Sequence, residues 1–374
     1  ADHVDKALAT AQQLYRDRTG WLPLDERVAI LERTVGLMTQ HKDALVQETT
    51  AEGGKPLQDT VVEVVRAIDG IRICIETIRT EQGEVVPMGT TSAARNRVAF
   101  TRREPIGVVV AVSAFNHPLN LIVHQVAAAV AAGCPVIVKP AADTPLACIS
   151  FVKMLHVAGL PPAWCQVVVA SDLQVAEQLV IDSRVAFFSF IGSAKVGWTL
   201  RSKLAPGARC ALEHGGAAPL LLAPDADVSQ ALPAVTKGGF YHAGQVCVSV
   251  QRVYADRSLA RQFADKLASS AGKLTVGDPL DATTEVGPLI RPAEIERVHA
   301  WVSEAVAAGA ELLCGGVPVG DSCYAPTVLF NPPADSSVSQ KEIFGPVVCV
   351  YEYEDIDAAI DQANSLPFAF QAAV

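Results

Sequence analysis

The sequence predicts an α/β fold: a doubly wound, Rossmann-like parallel sheet domain followed by a second α/β domain. Three observations carry that expectation. Half of the 374 residues are hydrophobic and only 6% are aromatic. An Ala/Val/Leu-rich core of this kind suits parallel strands covered by helices on both faces. From residue 106 onward, short apolar runs alternate with longer segments of helical periodicity. The connections between them are short, as βαβ units require.

Taken in order, residues 2–81 read as largely helical. Apolar residues recur at helical spacing in RVAILERTVGLMTQHKDALVQETTAE and QDTVVEVVRAIDGIRICIETIRT. GEVVPM and NRVAFTRREP read as two short strands around a Gly/Thr/Ser loop. IGVVVAVSAF is a buried strand, LNLIVHQVAAAVAAG a helix closed by Gly133, and CPVIVK a strand stopped by Pro140. PLACISFVKMLHVAGL (helix), CQVVVA (strand), DLQVAEQLVID (helix), VAFFSF (strand), GSAKVGWTLRSKLA (helix) and RCALEH (strand) follow. Near Gly215 a second α/β region begins. PLLLA, VQRVYA and ELLCGG read as strands; a helix runs from Asp227 into GGFYHAG, and RQFADKLASSAGKL and PAEIERVHAWVSEAVAAG are helices. VGDPLDATTEVGPLI is a Gly/Pro-rich crossing segment. The last residues, SLPFAFQAAV, read as an apolar, strand-like run without a polar cap, which suggests a fragment.

The net charge of −10 and the lack of a Lys/Arg cluster argue against nucleic-acid binding. No apolar run approaches the roughly 18 residues of a membrane span. Nine cysteines without a C-x-x-C pair or clustered Cys/His spacing argue against a disulfide framework or a metal site. The expectation is a cytoplasmic protein with reduced thiols, no membrane contact and no metal.

Six segments offer chemistry. In GGFYHAGQVCVSV, Cys247 follows Gly244 and Gln245, where the backbone can turn sharply and approach a ligand. Alone, such a cysteine reads as a small buried hydrophobe; a nucleophile needs a lowered thiol pKa, access and an oxyanion partner. LEHGG ends a strand with Glu213, a general base if apolar surroundings raise its pKa, or an ordinary loop acid. AFNHPLN places Asn116 just beyond a strand end, where its amide could meet an oxyanion or simply form a turn. Lys139 ends another strand, Gly192-Ser193 opens a helix whose N–H groups favour phosphate, and Glu342 and Phe344, two apart on an extended segment, share a side.

Together, FNHPLN, VKPA, FIGS, LEHGG, GQVC and KEIFGP, in this order, resemble the aldehyde dehydrogenase superfamily over the whole chain, nearest its lactaldehyde- and phosphonoacetaldehyde-like small-aldehyde branch. Glu213 and Cys247 lie 34 residues apart, as that family's pattern expects. The resemblance implies that Cys247 attacks a small aldehyde, with Asn116 and the Cys247 N–H holding the oxyanion. Hydride passes to NAD or NADP, and Glu213 activates water to release a carboxylate from the thioester. It further implies that Lys139, Gly192, Ser193, Glu342 and Phe344 contact the cofactor. By the same resemblance, residues 1–214 form the nucleotide-binding domain, with 82–104 a hairpin-like oligomerisation segment of a homodimer or homotetramer. Residues 215–374 then form a truncated catalytic domain, in a chain lacking the family's N-terminal edge and C-terminal tail.

Four positions depart from the family pattern. Ala142 stands where a ribose-gripping glutamate is usual, which opens the site to the 2′-phosphate of NADP; both cofactors are expected. Ile191 replaces a threonine, VASDLQVAEQL lacks the usual turn glycines, and Val246 replaces an arginine found in phosphate-selective relatives. Arg102 and Arg103 read as a solvated pair rather than an anion site. Three other readings stay open: a CoA-acylating relative, a hydrolase pairing Cys247 with His214 or His242, and a truncated, inactive relative.

Overall fold

The computed structural model describes residues 2–170, 172–368 and 370–374. Helices α1 (Asp2–Arg16), α2 (Leu24–Gln40), α3 (Lys42–Gly53) and α4 (Leu57–Thr80) lead the chain. Their buried stripes, such as Val4, Ala7, Leu8 and Ala11 on α1, follow the periodicity read from sequence. Strands β1 (Val85–Val86) and β2 (Ala99–Phe100) pair antiparallel, Val85 opposite Phe100. That ribbon leaves Val85, Val98 and Phe100 exposed.

Then come β3 (Val108–Val112), α5 (Asn120–Ala131), β4 (Val136–Lys139), α6 (Leu146–Val157), β5 (Cys165–Val167), α7 (Leu173–Ile181), β6 (Val185–Ile191), α8 (Ala194–Arg201) and β7 (Arg209–Glu213). The sheet order is β5-β4-β3-β6-β7, with β3 parallel to β4 and β6, and β4 parallel to β5. Strand order therefore reverses at β3, leaving a switch point beside β6. Every residue of β4 is buried, and all of β3 except Val112; Val and Ile suit strands covered on both faces. The α5 helix buries nine residues around its circumference, as a helix within a core does. Gly133, at φ +75, closes it, with Cys134 N–H donating to Ala129 O. Gln125 of α5 donates to Val112 O, Ser189 O and Ser189 Oγ, pinning β3 and β6 together at the switch point.

β8 (Ala218–Leu222), α9 (Val228–Phe240), β9 (Val250–Asp256), α10 (Arg257–Ala271), α11 (Pro292–Ala307), β10 (Glu311–Cys314), β11 (Pro318–Val319), β12 (Cys323–Tyr324), β13 (Thr327–Phe330), α12 (Ser337–Gln340), β14 (Val347–Tyr353) and α13 (Ile356–Asn364) follow; β11 and β12 pair antiparallel as a separate ribbon, and the other strands form the second sheet. Its order is β10-β13-β14-β9-β8; all neighbours are parallel except the antiparallel β10 and β13. Sequence reading leaves β13 and β14 unassigned, although β14 is the middle strand and only Glu352 in it is exposed. The strand-like reading of the final residues is corrected. Among the described residues after Ser365 there is one bridge, Ala373 beside Leu220. Ala369 in that run and Ser171 in the VASDLQ turn lie outside the described residues.

By packing, the chain forms two compact units. One takes the chain up to Leu45, Glu63–Ile191 and Lys195–Leu212; the other takes Val46–Val62, Gly192–Ala194 and Glu213–Val374. Among the described residues no helix is long and apolar enough to cross a membrane.

Candidate active site

In the second unit, three loops meet the amino ends of parallel strands. Gly215 and Gly216 lead towards β8, Cys247 precedes β9, and Glu342 to Phe344 precede β14. The Cys247 loop begins with an unusual backbone. After α9, His242 (φ 49), Ala243 (φ 54) and Gly244 (φ 70) are all left-handed. That conformation costs an L-residue about 1–2 kcal/mol, so the surroundings must hold it. Buried Asp59 accepts the His242 N–H. Buried Gln245 accepts the Ile290 N–H at 2.9 Å and donates to Pro288 O at 3.2 Å. A Cβ on Gly244 would lie 2.0 Å from Gly345 O, so only glycine lets these two backbones touch.

Cys247 itself is partly exposed. The backbone N–H groups of Cys247 and Val248 favour the thiolate, but burial, Glu342 and Glu213 outweigh them and push the thiol pKa up. The lowered thiol pKa that a nucleophile needs is therefore not supplied by these surroundings. The Glu342 carboxylate rests on the glycines of LEHGG. Its Oε1 accepts the Gly216 N–H at 3.0 Å, and a Cβ on Gly215 would fall 2.0 Å from the same oxygen. A Cβ on Gly216 would lie 3.1 Å from Cys247 O. Both glycines are thus explained by close approach, a contact between distant segments that local sequence does not announce. Burial raises Glu342 to about 7, against the opposing pull of the Gly216 N–H and Arg297. The expectation that Glu342 and Phe344 share a side of an extended segment is corrected, because Phe344 has φ 49 and the chain turns there.

Glu213 is the last residue of β7, at the sheet edge, and is exposed. The apolar surroundings invoked to make it a base are therefore absent. Its backbone oxygen accepts the Gly192 N–H at 3.0 Å, which joins the Gly192-Ser193 turn to Glu213.

In the first unit, Asn116 lies beyond the end of β3 and is 4% exposed. The turn after it is held by Glu63, whose Oε1 accepts the N–H groups of Leu119 and Asn120 at 3.0 Å each. Glu63 is itself buried and caps the start of α5; sequence reading did not single it out. Lys139, the last residue of β4, is buried, which pushes its pKa down. Its Nζ donates to Pro140 O at 3.1 Å, and an ammonium has two further donors for a ligand.

The family model "Aldehyde dehydrogenase family" matches residues 1–374. This chain belongs to the aldehyde dehydrogenase family. A protein named 3-sulfolactaldehyde dehydrogenase from Priestia aryabhattai is 36% identical over 371 residues, covering 99% of this chain and 77% of its own. Lactaldehyde dehydrogenase of Methanocaldococcus jannaschii is 33% identical over 377 residues, covering 100% and 79%. The crystal structure of glyceraldehyde-3-phosphate dehydrogenase GapN from the same organism, complexed with NADP, superimposes with a TM-score of 0.93 at 32% identity, covering 99% of this chain and 80% of that one. This aldehyde dehydrogenase is NAD(P)-dependent and sits with the small-aldehyde relatives. Its residues fit such a cofactor. In the first unit a buried lysine ends β4 at the carboxyl edge of the sheet, where its ammonium can donate to a ligand.

Proposed function

We propose that this aldehyde dehydrogenase oxidises a small polar aldehyde to its carboxylate through a thioester on Cys247. The observation that supports the reading best is the partly exposed Cys247 thiol within the electrostatic reach of two carboxylates, Glu342 and Glu213. With its pKa raised, the thiol is protonated at neutral pH, so attack needs a base to take its proton; a neighbouring carboxylate does so. Sulfur then bonds to the carbonyl carbon, and the oxyanion is held by the Cys247 N–H and the Asn116 amide. When bound, NAD(P) supplies the hydride acceptor. Glu213, exposed to solvent, takes a proton from water. The hydroxide adds to the thioester, and sulfur leaves as the carboxylate product forms.

Lys139 would hold the adenine-side ribose, Gly192 and Ser193 the phosphates, and Phe344 would pack on the nicotinamide end. Glu342, with one oxygen on Gly216, would offer the other to a ribose hydroxyl. With Ala142 in place of an acid, both NAD and NADP are accepted. The names of the relatives favour a hydroxylated or sulfonated short-chain aldehyde. The exposed ribbon of β1 and β2, with Val85 and Phe100, would join subunits of a homo-oligomer.

The test is a single-turnover experiment with Glu213→Ala. One equivalent of reduced cofactor should form in a burst, followed by no steady turnover. Full steady-state turnover would refute water activation by Glu213, and rescue by coenzyme A alone would favour acyl transfer. Activity on esters without cofactor would revive the hydrolase reading.

A further inference from the structure

Gln251 lies in β9, four residues after Cys247, and is 4% exposed. Its side chain spends both ends of its amide on the segment that carries Glu342. Nε2 donates to Lys341 O at 2.6 Å and to Val338 O at 3.1 Å, while Oε1 accepts the Ile343 N–H at 2.8 Å. The peptide groups on both sides of Glu342 are therefore held by one residue. Arg297 of α11 adds a bond from Nη2 to Ile343 O at 2.8 Å. Glu342 in turn rests on Gly216. An amide presents donors and an acceptor in one rigid plane, and no other side chain of similar size could bridge two carbonyls and an N–H. Nothing in this arrangement touches the thiol or a substrate, so the role is indirect.

We propose that Gln251 is a positioning residue for the aldehyde dehydrogenase reaction, locking the Glu342 segment to the strand that follows Cys247. The inference rests on the reading of Glu342 as a functional carboxylate. A side chain displaced by about 1 Å can cost on the order of 100-fold in rate, which sets the scale expected.

The experiment is steady-state kinetics on the full chain with Gln251→Leu, Glu342→Gln and the double variant. The probe is the best-used aldehyde among glycolaldehyde, lactaldehyde and succinate semialdehyde, with NAD and NADP each varied. Gln251→Leu should raise the cofactor KM or lower kcat by about 10-fold or more, in the same parameter that Glu342→Gln changes. The double variant should be no worse than Glu342→Gln alone, because the two act as one unit. Gln251→Asn, which keeps the amide but shortens the reach, should show a smaller loss and covers the case in which the leucine variant does not fold. Wild-type kinetics in both Gln251 variants, or losses that multiply in the double variant, would overturn the positioning role while leaving Glu342 in place. Wild-type kinetics in Glu342→Gln would overturn the Glu342 reading and the proposal with it.

Discussion

In the first sheet, Asn116, Lys139 and the Gly192-Ser193 turn lie at or just beyond the carboxyl ends of β3, β4 and β6. In the second, Gly216, Cys247 and Glu342 precede the amino ends of β8, β9 and β14. The two edges of a parallel sheet differ electrically. Helices entering after strands bring their N-terminal, positive ends to the carboxyl edge, and leave their negative ends at the amino edge. The first sheet therefore suits a phosphate-bearing cofactor. The second places acids beside a thiol: burial, with Glu342 and Glu213 adding to it, raises the thiol pKa, and burial raises Glu342 to about 7. The bracing follows the same division. A carboxylate, Glu63, caps a helix start in the first unit, and a neutral amide, Gln251, ties backbone in the second.

The comparison breaks most visibly at Cys247. Cys247→Ala should lower kcat by at least about 10⁴-fold with an unchanged thermal midpoint; residual turnover within tenfold of wild type would end the second sheet's claim to the chemistry. Next, Gly215→Ala places a Cβ 2.0 Å from the Glu342 carboxylate. It should lower kcat/KM by about 10²-fold, and a neutral result would show that the acid can sit elsewhere. Lys139→Ala, on the first sheet, should raise the cofactor KM about tenfold and leave kcat nearly unchanged; a fall in kcat with constant KM would erase the distinction between the two edges.

The smallest effect concerns pH. Glu342 is raised from 4.5 to about 7, so the folded chain keeps a proton that the unfolded chain releases across that window. Its contribution to stability is full below 4.5 and is lost as pH rises through 7. Glu342→Gln should flatten the thermal midpoint between those limits, and an identical pH slope in both proteins would contradict the buried acid.

Much of this was legible in the chain. Alternating apolar runs gave the first sheet strand by strand, because VVVAV and VIVK are buried on both faces and carry no competing pattern. GQVC, LEHGG and KEIFGP marked segments that meet in the second unit, at the candidate site. What stayed hidden depends on distant contacts. The left-handed turn at His242 and Ala243 is held by Asp59, far away in sequence. Gln251 looks like an ordinary strand residue until its three backbone partners are seen. The thiol's raised pKa comes from Glu342 and Glu213 as well as burial, and no local window contains all three.

The most direct test is the mass of the Cys247 peptide after Glu213→Ala enzyme is mixed with aldehyde and NAD(P), quenched in acid and digested. The account predicts one acyl group on Cys247, equal in amount to the reduced cofactor formed. Reduced cofactor formed without that adduct, or an acyl group on another cysteine, would contradict it.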